Sequence, residues 1–275
     1  MDIELVVKIG SMALIRREDN DIDYNIFARL SGELRPGMLL VSSGATEIGR
    51  VDYMKRTNRA LDGDSEQNKT DYSAQGQAIL METYRRFIRP EFGVRQVLVE
   101  HNHFNDPAKR RHLYELLTRA ARQGAIPIIN YNDCVSDEEN RKMELSNLHS
   151  QNPDADVVEC VDNDETAAVV AELVRTKRLI LLTSTEGIYA DPKDPSTLVP
   201  SITAPDADSL EREVRKWQAH CVGSSRAGAN GAGAKLEYAL RSARTGTEVF
   251  IAHARHPIHQ ILSGHVNCTR IAIEK

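Results

Sequence analysis

No apolar run in the 275 residues approaches the roughly 20 needed to cross a bilayer. The opening stretch, MDIELVVKIG, has no basic region ahead of an apolar core, so no secretory leader is read there. Cysteine is scarce. The four present, Cys134, Cys160, Cys221 and Cys268, are scattered and form no CxxC pair, which disfavours a disulfide scaffold and fits a reduced, cytoplasmic protein. An excess of positive charge is also missing. The formal net charge is −5 and the sequence pI about 6.0, so no nucleic-acid or membrane partner is expected, although a local phosphate site stays compatible. GxxxxGK[ST] is absent, which excludes a P-loop enzyme. GxGxxG does not follow the first strand, so a dinucleotide-binding reading is weak. There is no nucleophile elbow for Ser/His/Asp chemistry.

What is present is globular: 41% hydrophobic and 27% charged residues, enough for a sizeable core. Apolar bursts at 3–10, 37–44, 95–101, 126–132, 179–184, 248–253 and 269–274 read as strands. Helix-like stretches at 24–35, 73–89, 107–123, 164–176, 206–218 and 233–245 lie between them. Continuous apolar strands alternating with amphipathic helices predict an α/β fold, a three-layer sandwich with a mostly parallel central sheet. Two polar segments, 52–72 and 134–160, read as loop insertions, the second with a short helix near Glu138 to Leu148. In parallel sheets ligands gather beyond the carboxyl ends of the strands, so the residues just after each burst carry the functional signal.

Five such places stand out, each with a plain alternative. VVKIGS puts Lys8 before Gly10 and Ser11 at a strand end, where backbone amides could cradle phosphate; a solvated lysine beside a turn is the plain reading. VSSGA, with Ser43 and Gly44, leads into a probable helix and could hold an anion, or be a tight turn. INYNDCV offers Asn130, Asn132 and Asp133 to a substrate ammonium, or to Asx turns. In VDNDETAAV, Asp162 and Glu165 have capping-box spacing, but capping does not account for Asn163 and Asp164 as well. GANGAGAK, 228–235, runs glycines into a helix with Lys235 near its start, where a cation opposes the dipole unless an anion joins it; the alternative is a flexible linker. The histidines at 253, 256 and 259 are interrupted by Pro257, and no metal site is expected.

In this order the motifs resemble the amino acid kinase family, and within it the glutamate 5-kinases, over nearly the whole chain. The resemblance implies transfer of the ATP γ-phosphoryl group to the side-chain carboxylate of glutamate, the first step of proline biosynthesis. It implies Lys8 and Lys235 on the phosphoryl group and Asp164 holding both lysines. It further implies Gly10 and Ser11 at the phosphate, and Ser43, Gly44, Asp133 and Asn163 at the amino acid. Thr183, Ser184, Gly228, Gly231 and Gly233 would contact the nucleotide, with Mg2+ arriving bound to ATP. A homo-oligomer, dimer or tetramer, is expected from the same source. Many glutamate 5-kinases continue into a PUA domain; this chain reads as a single kinase domain over 1–275. Departures are clear. Ser184 replaces an acid, Tyr131 a glutamate, Val161 a glycine, and the Gly-rich loop and the 134–160 segment are altered. Another small acid as acceptor, or a non-catalytic nucleotide-binding homologue, are the alternatives.

Overall fold

A computed structural model describes residues 2–16, 18–136, 138–151, 157–220 and 231–274. Among them are strands β1 (Leu5–Ile9), β2 (Ile15–Arg16), β3 (Asp21–Ile22), β4 (Met38–Ser42), β5 (Gly93–Val99), β6 (Ala125–Tyr131), β7 (Arg178–Thr183), β8 (Ser201–Ala204), β9 (Glu248–His253) and β10 (Cys268–Ile273). The helices are α1 (Tyr24–Glu33), α2 (Ala45–Thr57), α3 (Ser65–Phe87), α4 (Asn102–Asn105), α5 (Pro107–Arg122), α6 (Glu138–Gln151), α7 (Asn163–Val174), α8 (Ala207–His220), α9 (Gly231–Arg244) and α10 (Ile258–Leu262). Eight strands form one sheet in the order β5-β6-β4-β1-β7-β9-β10-β8, and β2 pairs with β3 apart from it. Every neighbouring pair in the large sheet is parallel except β9 with β10. The expected three-layer α/β architecture is therefore present.

The layers follow from strand alternation. Leu5, Val7 and Ile9 enter a core shared with α1, α2, α3 and α10. Val6 enters the opposite core, built against α5, α7, α8 and α9. Side chains two apart share a face, so Lys8 belongs to the face of Val6. The sheet also sets the site. β1 is central, with β4, β6 and β5 on one flank and β7, β9, β10 and β8 on the other. Sequence order reverses direction at β1, and a crevice opens where strand order switches.

Aspartates start many of the helices. Asp23, Asp64, Asp106 and Asp162 each accept two backbone N–H groups at the starts of α1, α3, α5 and α7. Pro107 follows Asp106 in the first turn of α5, where its missing N–H costs nothing.

The expectation of a loop insertion over 52–72 is corrected. Residues 52–57 finish α2 and 65–72 open α3, leaving only 58–64 between helices. The apolar period is weak there because the two helices dock through backbone. A Cβ on Gly49 would lie 1.8 Å from the Tyr72 carbonyl oxygen, and one on Gly76 1.8 Å from that of Ala45. The Tyr72 hydroxyl accepts the Leu61 N–H at 2.7 Å and closes the turn. The 134–160 segment does carry a helix, α6, which runs three residues past the expected end. β8 was not anticipated: four residues at the sheet edge give too short a pattern to read. Among the described residues, no helix is long and apolar enough to cross a membrane.

Candidate active site

Lys8 pairs in register with Val41 of β4 and Leu181 of β7, both in the core on its own face. A lysine among aliphatic neighbours needs a counter-charge, since an unpaired buried ammonium is costly. The first turn of α7 supplies it. Lys8 Nζ lies 2.6 Å from Asp164 Oδ1, an ion pair whose angles depart from hydrogen-bond alignment, and both groups are buried. Lys235, in the first turns of α9, bonds the other oxygen, Oδ2. α7 and α9 pack on the face that Lys8 shares, so strand parity brings the three residues together. Burial pushes the Asp164 carboxyl up, but the ammonium groups of Lys8 and Lys235 outweigh it and hold it at about 2. One carboxylate between two ammonium groups leaves a local charge of +1, suited to an anion.

α7 starts as its sequence suggests on one side only. Asp162 accepts the Asp164 and Glu165 N–H groups at 2.8 and 2.9 Å. Glu165 does not return the bond to Asp162 as a capping box would. It accepts the N–H groups of Glu159 and Val161 at 3.1 and 2.7 Å, fixing the incoming segment. Burial raises its carboxyl above the ordinary range despite these donors. Cys160, between them, is buried with φ +52°.

A cavity of about 370 Å³ opens beside this cluster at the carboxyl ends of β4 and β6. Ser11, Ser43, Gly44, Asp133 and Asn163, all singled out from the sequence, line it. Gly44 starts α2 at φ +109°, a conformation that favours glycine, and a Cβ there would meet Leu14 at 2.9 Å. Asn163 Nδ2 donates to Ser43 Oγ and Asn130 Oδ1, each at 3.0 Å, while Asn130 Nδ2 donates to Gln77 Oε1 at 2.9 Å. This chain of amides fixes which way Asn163 faces, and leaves its Oδ1 a buried acceptor without a protein partner among the described residues. Burial raises the Asp133 carboxyl, offset in part by Lys69 at 3.5 Å. Gly10 stands next to the ion cluster, where a Cβ would approach Lys8 Nζ to 3.5 Å.

Two cations of this cavity escaped sequence reasoning. Lys69 comes from α3 and Arg141 from α6, the two polar segments read as insertions. Neither has a local signature; only the folding of α3 and α6 over the strand ends brings them in.

The nucleotide-binding expectations are spread more widely. Thr183 closes β7 in register with His253. Ser184 lines a second cavity, about 710 Å³, with Tyr189, His253, Arg255 and Asn267. Gly231 and Gly233 do not line it. They form the first turn of α9, where Gly231 takes φ +39° and the Gly233 carbonyl accepts Gln218 Nε2 at 3.0 Å. Gly228 lies outside the described residues. Of the histidines, His256 bonds Glu186, and no cluster of three metal-ligating side chains occurs among the described residues.

Comparison with known proteins places the chain in a family. The model of the amino acid kinase family matches residues 4–253. A glutamate 5-kinase of Gloeobacter violaceus is 30% identical over 290 residues, covering 99% of this chain and 69% of its own. Glutamate 5-kinase 2 of Rhizobium meliloti is 28% identical, covering 94% of this chain and 90% of its own. Among solved structures, a carbamate kinase of Giardia lamblia bound to AMP-PNP superposes with a TM-score of 0.60 at 13% identity, over 98% of both chains. An isopentenyl phosphate kinase of T. acidophilum gives 0.57 at 14% identity, over 98% of this chain and 99% of its own. These last two likenesses establish the fold.

Proposed function

The chain belongs to the amino acid kinase family of phosphotransferases, and on that premise we propose that it transfers the γ-phosphoryl group of ATP to the side-chain carboxylate of L-glutamate. The observation that carries the reading is the Lys8–Asp164–Lys235 cluster. Phosphoryl transfer asks little covalent work of a protein; it asks for alignment and for charge placed where charge develops. A carboxylate is already a nucleophile and needs no general base. Lys8 and Lys235 would neutralise the transferring group, and Asp164 would hold them in place beforehand, so that little reorganisation is needed during reaction. Gly10 and Ser11 would donate to the phosphoryl oxygens.

The acceptor would occupy the cavity lined by Ser43, Gly44, Asp133 and Asn163, with Asp133 placed for an ammonium. The nucleotide would lie beyond β7 and β9, against Thr183, Ser184 and the glycines that open α9. ATP would bring Mg2+ with it. Asp164 is already committed to two ammonium groups and fits a metal poorly, so phosphate oxygens and water would hold the ion.

The test is a coupled assay of ADP release with ATP, Mg2+ and a panel of small acids. Glutamate-dependent release in wild type, lowered by orders of magnitude in Lys8→Ala and Lys235→Ala proteins that remain folded, is the expected result. Turnover only with another acid would reassign the acceptor. Undiminished turnover in both variants would remove the mechanism.

A further inference from the structure

Two cations reach the acceptor cavity from beyond the strand ends, Lys69 and Arg141. Lys69 has an acid beside it, Asp133. Arg141 has none. Among the described residues its hydrogen bond runs from Nη1 to the Cys160 carbonyl at 3.2 Å. That partner is neutral. It leaves Nε and Nη2 able to donate to a ligand. Among the described residues, the nearest partners of the acids that line the cavity are other groups. Asp162 accepts the amides of Asp164 and Glu165, Glu66 accepts the Glu138 amide at 2.9 Å, and Glu138 pairs with Lys142 at 2.7 Å. Arg141 is half-buried, so water only partly solvates its charge.

Arg141 is also held in position. α6 is fixed at its first residue by the Glu66–Glu138 bond, and nearly two turns later by Glu144, which pairs with buried His101 at 3.0 Å. Arg141 lies between these two anchors on the same helix.

We propose that Arg141 binds the second carboxylate of a dicarboxylic acceptor, the one that is not phosphorylated. This rests on the acceptor reading above: in glutamate the side-chain carboxylate faces the two lysines, and the α-carboxylate meets Arg141. The planar guanidinium fork matches a carboxylate with two parallel hydrogen bonds. Asp133, beside Lys69, then receives the α-ammonium. The cavity thus reads all three charges of the acceptor, and Arg141 sets the preference for a free α-carboxylate.

Initial-rate kinetics on glutamate and on its α-carboxamide test this in wild type, Arg141→Ala and Arg141→Lys. Arg141→Ala should raise KM for glutamate roughly 10- to 100-fold with kcat within about threefold of wild type. KM for the α-carboxamide should hardly change, so the preference for glutamate collapses. Arg141→Lys should recover part of it, because the charge returns without the fork. Equal losses on both acceptors, or a fall in kcat at unchanged KM, would assign Arg141 only to holding the Cys160 segment and overturn the proposal. A wild type that turns over no glutamate would overturn the acceptor reading itself, and this inference with it.

Discussion

Lys8 Nζ lies 2.6 Å from Asp164 Oδ1, between Val41 and Leu181 of the flanking strands. A strand interior on the core face would ordinarily hold an aliphatic side chain. Here it holds a charge, and the acid paired with that charge is itself shared with Lys235. Stability and chemistry are therefore tied to one carboxylate.

Removing that carboxylate leaves two ammonium groups facing each other without a counter-ion. Asp164→Asn should cost roughly 3–5 kcal/mol by urea denaturation, since breaking a buried pair strands the remaining charge. Lys8→Met fills a similar volume and leaves Asp164 paired with Lys235, so it should cost clearly less while still abolishing turnover. If Lys8→Met proved the more damaging to stability, Asp164 would not be the hub described.

The same carboxylate sets an acid limb. Its folded value is about 2 against an ordinary 3.8, so the folded state binds this proton less readily than the unfolded chain. A lowered carboxyl contributes its full stability above the unfolded value, and the contribution fades as pH falls from about 4 towards 2. Denaturation midpoints of wild type should drop across that window more steeply than those of Asp164→Asn. Parallel curves would count against the ion cluster.

Asp133 responds in the opposite sense. Burial raises its carboxyl, and Lys69 offsets this only in part, so it loses its charge at higher pH than an ordinary aspartate. An ammonium-bearing acceptor needs the ionised form. KM for glutamate should climb as pH falls towards the acid range, beginning at a higher pH than an ordinary aspartate would set, and Asp133→Asn should show a high KM without that limb. A limb that persists in Asp133→Asn would place the titration on another group.

The α2–α3 crossing offers a test remote from chemistry. A Cβ at Gly76 would sit 1.8 Å from the Ala45 carbonyl oxygen, which is backbone and cannot swing aside. Gly76→Ala should therefore destabilise the protein by about 1–3 kcal/mol or more, despite the better helix propensity of alanine. Stability equal to wild type would mean that the helices do not approach this closely.

Much of the fold was legible because its strands are continuous apolar runs separated by amphipathic helical stretches. Lys8 and Asp164 could be singled out because each breaks a local rule: a lysine inside a strand, and more acids at a helix start than a cap requires. Gly49 and Gly76 concealed the end of α2 and the start of α3, since a backbone contact leaves no apolar stripe to read. Glu165 was misread for a related reason. Its spacing fits a capping box, but its partners, Glu159 and Val161, are chosen by the loop before the helix. Lys69 and Arg141 were silent because their meaning lies in where α3 and α6 end up, and nothing within either helix encodes the cavity they face.

The placement of the two lysines along the chain has a consequence for biosynthesis. A ribosome delivers β1 first, α7 well after the midpoint, and α9 almost last. A nascent chain that has reached α7 can form Lys8–Asp164 as a neutral pair. The positive charge that would draw in a phosphate is added only with Lys235, on the same helix whose Leu236, Ala239 and Leu240 help to close that face of the core, so the appetite for anions arrives together with the packing that buries it.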